Sequence, residues 1–318
     1  MIKIIVTAYA CLPNSGSENG VGWRWILELS KRYEVFAIVR KNNYTQISSQ
    51  IITNKKNIKW IYYDLPKYLT FWKKKTFGLK FYYYLWQIGV YFKAKKIISN
   101  EDILLVHHLT FGTFWLPTFL SFLKIPLIIG PTGGAEIPPS SLIKNFGFKD
   151  KIYEYLRTLN ILTSKYNPII LHNAKHASAI LVKSKETLDY YSSIGSRNSF
   201  LFSEVGLYME EIVSEMKKKD NFTLISVGRL IPLKRFDLGI KAFSKLPDKD
   251  KYKYYIIGEG PERNNLENLI SELKLNKNVI LLGNQERKVV FEYLRKSSIL
   301  IHPSIHDSGG WVCIEAMA

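Results

Sequence analysis

Cysteine is scarce in this chain: Cys11 and Cys313 are the only two, and they lie far apart. That usage excludes a disulfide framework and fits a reducing compartment. The cysteines and histidines also lack metal-ligand spacing, and no nucleophilic serine elbow is present. A long unbroken apolar run is missing as well. The stretch 103–129 is interrupted by His107, His108, Gly112, Pro117, Lys124 and Pro126. A spanning helix needs about 20 largely apolar residues, so this stretch reads as buried strand, helix and strand. The N-terminus enters a strand-like run directly, without the basic region and long apolar core of a signal peptide. Internal repeats and low-complexity tracts are absent. So are acids between Asp64 and Glu101.

That acid-free window holds eight lysines: Lys67, Lys73, Lys74, Lys75, Lys80, Lys93, Lys95 and Lys96. Eleven aromatic residues, from Tyr68 to Phe92, are interleaved with them, and the whole chain carries a net charge of +18. Rings at headgroup level among lysines suit an anionic membrane surface, each nearby lysine contributing about 1 kcal/mol. Nucleic acid would attract the same charge, but no nucleic-acid motif accompanies it. The plainer alternative is a helix packing its aromatic face on the core. The expected location is cytoplasmic, peripheral at the inner face of the cell membrane.

A chain of 318 residues with 47% apolar content is large enough for two cores. Short β-rich runs alternate with helical patterns, the signature of parallel sheets covered by helices. Strands are expected at 2–7, 34–39, 57–63, 103–107, 127–129, 179–182 and 200–205. A loop is expected over 8–22, with helices at 23–32, 114–123 and 185–193. The charged segment 206–221 reads as a hinge or surface helix. The rhythm then restarts, with strands at 222–227, 252–257, 278–282 and 298–301 between helices at 236–246, 262–273 and 286–296. The predicted domains are therefore 1–205 and 206–318, each an α/β doubly wound unit.

Chemistry concentrates at the ends of the predicted strands. Gly228-Arg229 and Lys234 stand between a strand and a helix, two cations placed for a diphosphate without a metal. Asp307 and Glu315 lie eight positions apart, with Gly309-Gly310 just after the first, where a strand passes through a loop into a helix. Carboxylates there can hold hydroxyls. Gly258-Glu259-Gly260-Pro261 is a further strand-to-helix turn, and Gly283-Asn284-Gln285 follows the next strand. In the first domain, Gly20 and Gly22 would let backbone approach a ligand. His108 would face the site from a strand end, with His107 the alternative by pleat alternation. The loop Gly130-Pro131-Thr132-Gly133-Gly134-Ala135-Glu136 is placed for ligand contact, Glu136 as a hydroxyl acceptor. Asp248-Lys249-Asp250 has a metal-binding pattern but sits in a turn before a strand, the wrong end for a site, so no catalytic metal is expected.

Asp307-x7-Glu315 followed by Ala-Met-Ala resembles the Glu-x7-Glu motif of family 4 of the retaining glycosyltransferases, and the Gly-Arg-Leu…Lys run resembles another element of that family. The resemblance covers nearly the whole chain and is strongest in the second domain. It implies the GT-B fold, two Rossmann-like domains facing a cleft. It implies transfer of a hexose, with retention, from a nucleotide diphosphate sugar to a hydroxyl of a glycan or lipid-linked acceptor, as in cell-surface polysaccharide synthesis. Cofactors are none. Arg229 and Lys234 would neutralise the leaving diphosphate, Glu315 hold ribose hydroxyls, and Asp307 and His108 contact the donor sugar. Gly20, Gly22, Gly228, Gly283, Gly309 and Gly310 would shape the donor site, and Gly133, Gly134 and Glu136 the acceptor side. Asp307 departs from the usual Glu by one methylene. The chain stops inside the helix of Glu315, so the second domain is expected to be incomplete and the 318 residues inactive or poorly stable alone. The rival classes are a non-catalytic sugar or nucleotide binder and a GT-B sugar-nucleotide epimerase.

Overall fold

The computed structural model describes residues 1–13, 15–51, 57–73, 78–144, 146–204, 206–207, 211–212, 222–307 and 309–318. Chain contacts divide it into two units: 1–136 with 156–204, and 137–155 with 205–318.

The first unit is built on β1 (Lys3–Ala8), β2 (Glu34–Arg40), β3 (Ile58–Tyr63), β4 (Ile103–Thr110), β5 (Leu127–Thr132), β6 (Ala179–Val182) and β7 (Ser199–Leu201). They form one parallel sheet in the order β3-β2-β1-β4-β5-β6-β7. Period-2 alternation sends Ile4, Val6 and Ala8 into one apolar cluster and Ile5 into the other. Both faces are thus buried, as a parallel sheet requires. Covering helices are α1 (Ser17–Leu29), α2 (Tyr44–Ile51) and α3 (Leu79–Asn100). After β5 the chain forms α4 (Ser140–Ile143), which lies in the second unit, α5 (Phe148–Ser164), which begins there, and α6 (Pro168–His176) and α7 (Lys185–Ser193) of the first. Asn167 caps α6 through Ile169 N–H, and Ser184 caps α7 through Thr187 N–H.

The second unit carries β8 (Thr223–Val227), α8 (Phe236–Ser244), β9 (Lys253–Ile257), α9 (Arg263–Glu272), β10 (Val279–Gly283), α10 (Arg287–Lys296), β11 (Ile299–Leu300) and α11 (Trp311–Met317). Its parallel sheet runs β10-β9-β8-β11, with Leu224 and Ile256 facing one core and Ile225 and Ile257 the other. The segment 137–155 is tied to this unit by Arg235. Its guanidinium pairs with both oxygens of Asp237, at 2.9 and 3.0 Å, and donates to the Leu142 carbonyl at 2.7 Å.

Two expectations are corrected. The helix expected at 114–123 is reduced to a 3-10 turn, Leu120–Leu123. Gly112 and Thr113 instead pair with Gly133 beside β5, and Pro117 denies a helix the N–H it needs. The loop expected to Gly22 ends sooner, since α1 begins at Ser17. The segment 206–221 lies mostly outside the described residues.

Candidate active site

In each sheet the strand order reverses at one place: between β1 and β4, and between β8 and β11. There the chain leaves the carboxyl ends of neighbouring strands in opposite directions, which opens a crevice. In the second unit the backbone itself is pared down at this end. A Cβ on Gly258 (φ +142°) would run into the Gly228 carbonyl oxygen, so the loops after β8 and β9 meet backbone to backbone. Gly258 N–H donates to the Gly283 carbonyl at 2.9 Å, which aligns the third glycine with them.

Beyond Gly228 a 3-10 turn, Pro232–Lys234, aims Lys234 at the loop that follows β11. Lys234 Nζ lies 2.5 Å from Asp307 Oδ2, and His302 Nε2 lies 3.2 Å from the same oxygen. The N–H groups of Gly309 and Gly310 reach Asp307 Oδ1 at 3.4 Å. Burial opposes charge on Asp307, yet His302 and Lys234 outweigh it and hold the carboxyl well below the usual carboxylate range. Arg229 is exposed, and its side chain makes no hydrogen bond or ion pair among the described residues. Glu315, on α11, is buried and accepts from Arg287 Nη1 at 2.6 Å. Arg287 also donates through Nε to Glu211 at 3.0 Å. The structure therefore brings Lys234, Asp307, Gly309 and Gly310 together and gives Glu315 an arginine partner. Sequence reasoning missed His302 and Arg287. His302 sits in an apolar run, and Arg287 is one of several cations on α10.

At the reversal in the first unit the polar groups satisfy one another. His108 is 6% exposed. Thr7 Oγ1 stands 2.8 Å from its Nδ1 and the Tyr83 hydroxyl 3.0 Å from its Nε2. Burial, aided by His107, pushes His108 down to about 3, and burial pushes His107 down to about 4 although its Nε2 meets the Gly130 carbonyl at 2.8 Å. Both rings are neutral at physiological pH. Gly20 and Gly22 lie within α1, and a Cβ on Gly22 would strike the Ala10 carbonyl oxygen. Their bare Cα atoms make room for the carbonyls of the chain's own loop. Gly133 N–H donates to the Gly112 carbonyl at 2.8 Å. Gly134 N–H lies 3.5 Å from Glu136 Oε1, which also accepts from Ser184 Oγ at 2.6 Å. Arg157 Nη2 donates to the Glu136 carbonyl at 2.5 Å, so Glu136 is knitted into its own unit.

The lysine–aromatic window divides. Tyr82, Tyr83 and Trp86 are buried on α3, whereas Tyr68, Phe71, Phe81 and Phe92 are exposed. Lys74, Lys75 and Phe77 lie outside the described residues, as does the side chain of Lys67. Asp248 pairs with Lys251 at 3.0 Å in a solvated turn. Among the described residues, no group of three or more His, Cys, Asp or Glu is placed to hold a metal, and no helix is long and apolar enough to cross a membrane.

Parallel sheets, a strand-order reversal and a lysine–carboxylate pair there define a class. Residues 209–318 match the family described as Glycosyl transferases group 1. Particular relatives narrow the comparison. Over 150 residues the chain is 29% identical to N-acetyl-alpha-D-glucosaminyl L-malate synthase of Bacillus anthracis, covering 47% of this chain and 38% of that one. Over 182 residues it is 28% identical to N-acetylgalactosamine-N,N'-diacetylbacillosaminyl-diphospho-undecaprenol 4-alpha-N-acetylgalactosaminyltransferase of Campylobacter jejuni, covering 57% and 46%. The chain thus spans less than half the length of these curated relatives. Among solved structures, Anabaena HepE in complex with UDP and glucose has a TM-score of 0.61 at 16% identity, over 100% of this chain and 78% of that one. Sucrose-phosphate synthase from Thermosynechococcus elongatus also has a TM-score of 0.61, at 15% identity, over 100% and 79%. The chain has the GT-B fold that these neighbours share.

Proposed function

We propose that this chain is a retaining glycosyltransferase that moves a hexose from a nucleotide diphosphate sugar to a hydroxyl of a glycan or lipid-linked acceptor in cell-surface polysaccharide synthesis. The observation that carries the reading is the pairing of Lys234 with Asp307 at the β8/β11 reversal, with Arg229 exposed on the loop after β8.

The barrier is cleavage of the sugar–phosphate bond, in which negative charge grows on the departing diphosphate. Lys234 spends one of its three N–H donors on Asp307 and keeps two for phosphate oxygens. Arg229 adds a planar fork suited to the same oxygens. Charge placed in advance where charge develops lowers the barrier. Asp307, held ionised, accepts from donor-sugar hydroxyls, and Glu315 accepts from the ribose. Gly228, Gly283, Gly309 and Gly310 keep the donor loops free of side chains. A departing phosphate oxygen takes the acceptor's proton on the face the diphosphate leaves, which gives retention. No metal is required, because the two cations supply the positive charge. His108 is assigned a structural role, since both its nitrogens are engaged. Exposed Phe71, Phe81 and Phe92, with Lys93, Lys95 and Lys96, would rest on an anionic membrane surface, close to lipid-linked acceptors.

The test is incubation of the full chain with a panel of nucleotide diphosphate sugars and hydroxyl acceptors, followed by mass spectrometry, in EDTA and in Mg2+. A glycosylated product of retained anomeric configuration, formed equally in EDTA, is expected. Epimerised donor without an acceptor, or binding without turnover, would overturn the reading. Salt-sensitive sedimentation with anionic but not neutral vesicles is expected for the membrane contact, and its absence would remove that part.

A further inference from the structure

Glu315 stands on α11 and is buried. Its direction comes from another helix. Arg287, the first residue of α10, donates through Nη1 to Glu315 Oε1 at 2.6 Å and through Nε to Glu211 Oε1 at 3.0 Å. The guanidinium carbon lies 4.9 Å from the centre of the Phe291 ring, one turn along α10. The guanidinium is thus held at its face by a ring and at its edges by two carboxylates. Burial opposes its charge, and the two glutamates more than restore it.

We propose that Arg287 is a positioning residue that holds Glu315 charged and turned toward a vicinal diol, so that this pair sets selectivity for ribose over deoxyribose in the donor nucleotide. The inference rests on the reading of Glu315 given above. A buried carboxylate without a charge partner is strongly disfavoured, and a glutamate accepting from two hydroxyls must keep both its charge and its plane. A carboxylate has about four acceptor directions, so one bond from an arginine does not by itself saturate it. Lysine would keep the charge but not the planar fork.

The experiment uses the full chain and its Arg287→Gln, Arg287→Lys, Glu315→Gln and Arg287→Gln/Glu315→Gln variants, with melting temperatures measured for each. UDP, GDP and ADP and their 2'-deoxy counterparts are titrated calorimetrically. Wild type is expected to favour ribose about tenfold or more. Arg287→Gln should lose most of that preference, Arg287→Lys should keep part of it, and the double variant should be no worse than Glu315→Gln. Discrimination intact in folded Arg287→Gln but lost in Glu315→Gln would overturn the role of Arg287 and leave the donor reading standing. If Arg287→Gln does not fold, full discrimination in Arg287→Lys, equal to wild type, would overturn it in the same way. Failure of wild type to bind any of the six, or to discriminate at all, would overturn the donor reading and this inference with it.

Discussion

The two units reverse their strand order at corresponding places, yet they finish those places with opposite chemistry. At β1/β4 the polar groups are neutral, buried and engaged with one another: Thr7 with His108, His108 with Tyr83, His107 with the Gly130 carbonyl. At β8/β11 they are charged and partly open: Lys234 with Asp307, Arg287 with Glu315. A shared topology marks where a ligand can sit. Whether one does depends on how much of the hydrogen-bonding capacity the protein has already used for itself.

Acid should separate the units by the largest margin. Two buried histidines of the first unit, His107 and His108, have folded-state values far below the ordinary 6.5, at about 4 and about 3. The unfolded chain therefore binds protons that the folded unit refuses. Stability falls as pH drops below about 6.5, by up to ~1.4 kcal/mol per unit for each ring. Asp307 runs the same way in a lower window. Its value is depressed, so its contribution is full above the ordinary carboxylate value and is lost as pH falls from there toward a folded value well below it. The first unit should therefore unfold first between pH 6 and 4. Six of the seven tryptophans lie in it, so tryptophan fluorescence would report the event. Simultaneous loss of both units would break the contrast.

Next in size is Arg235→Ala. It should cost the second unit about 3 kcal/mol, because it strips a buried guanidinium from Asp237 and from the Leu142 carbonyl. Urea denaturation followed by circular dichroism would check it. Arg229→Ala and Lys234→Ala should each weaken nucleoside diphosphate binding by about 10- to 100-fold, the worth of a charge-assisted contact of roughly 1.5–3 kcal/mol. Calorimetric titration would measure this, and unchanged affinity in both would remove them from the donor site. The smallest effect at the donor is expected for His108→Gln, with affinity within about twofold of wild type while the melting temperature falls, as for a lost buried hydrogen bond. A large loss of donor affinity there would erase the distinction between the two reversals.

Much of this was legible because local and tertiary signals agreed. The strand at 179–182 and the helix at 185–193 are legible to the residue. Asp307 and Lys234 were paired in function by their motifs, and the fold brings them into contact. The rest failed where a residue's role is set by something distant. Gly20 and Gly22 read as loop residues because glycine disfavours helices, yet they sit in α1 to make room for carbonyls of the preceding loop. Arg287 cannot be told from the neighbouring Lys288 by pattern, and its bond to Glu315 crosses 28 positions. His108 is expected to face the site from its strand end, and nothing local announces Tyr83 as its partner.

The β8/β11 pairing also bears on the order in which this protein is made. Lys234 and Asp307 lie 73 positions apart, and Ser226 Oγ donates to the Ile301 carbonyl across 75. A ribosome adds about 5–20 residues each second, amino end first. All seven strands of the first sheet are translated before β8, so that sheet has its full complement while the second is still being made. The Lys234–Asp307 contact can form only after Asp307 has emerged. A ligand stabilises only states that bind it. On the donor reading proposed above, nucleotide sugar would therefore act late, as a lock on the β8/β11 pairing.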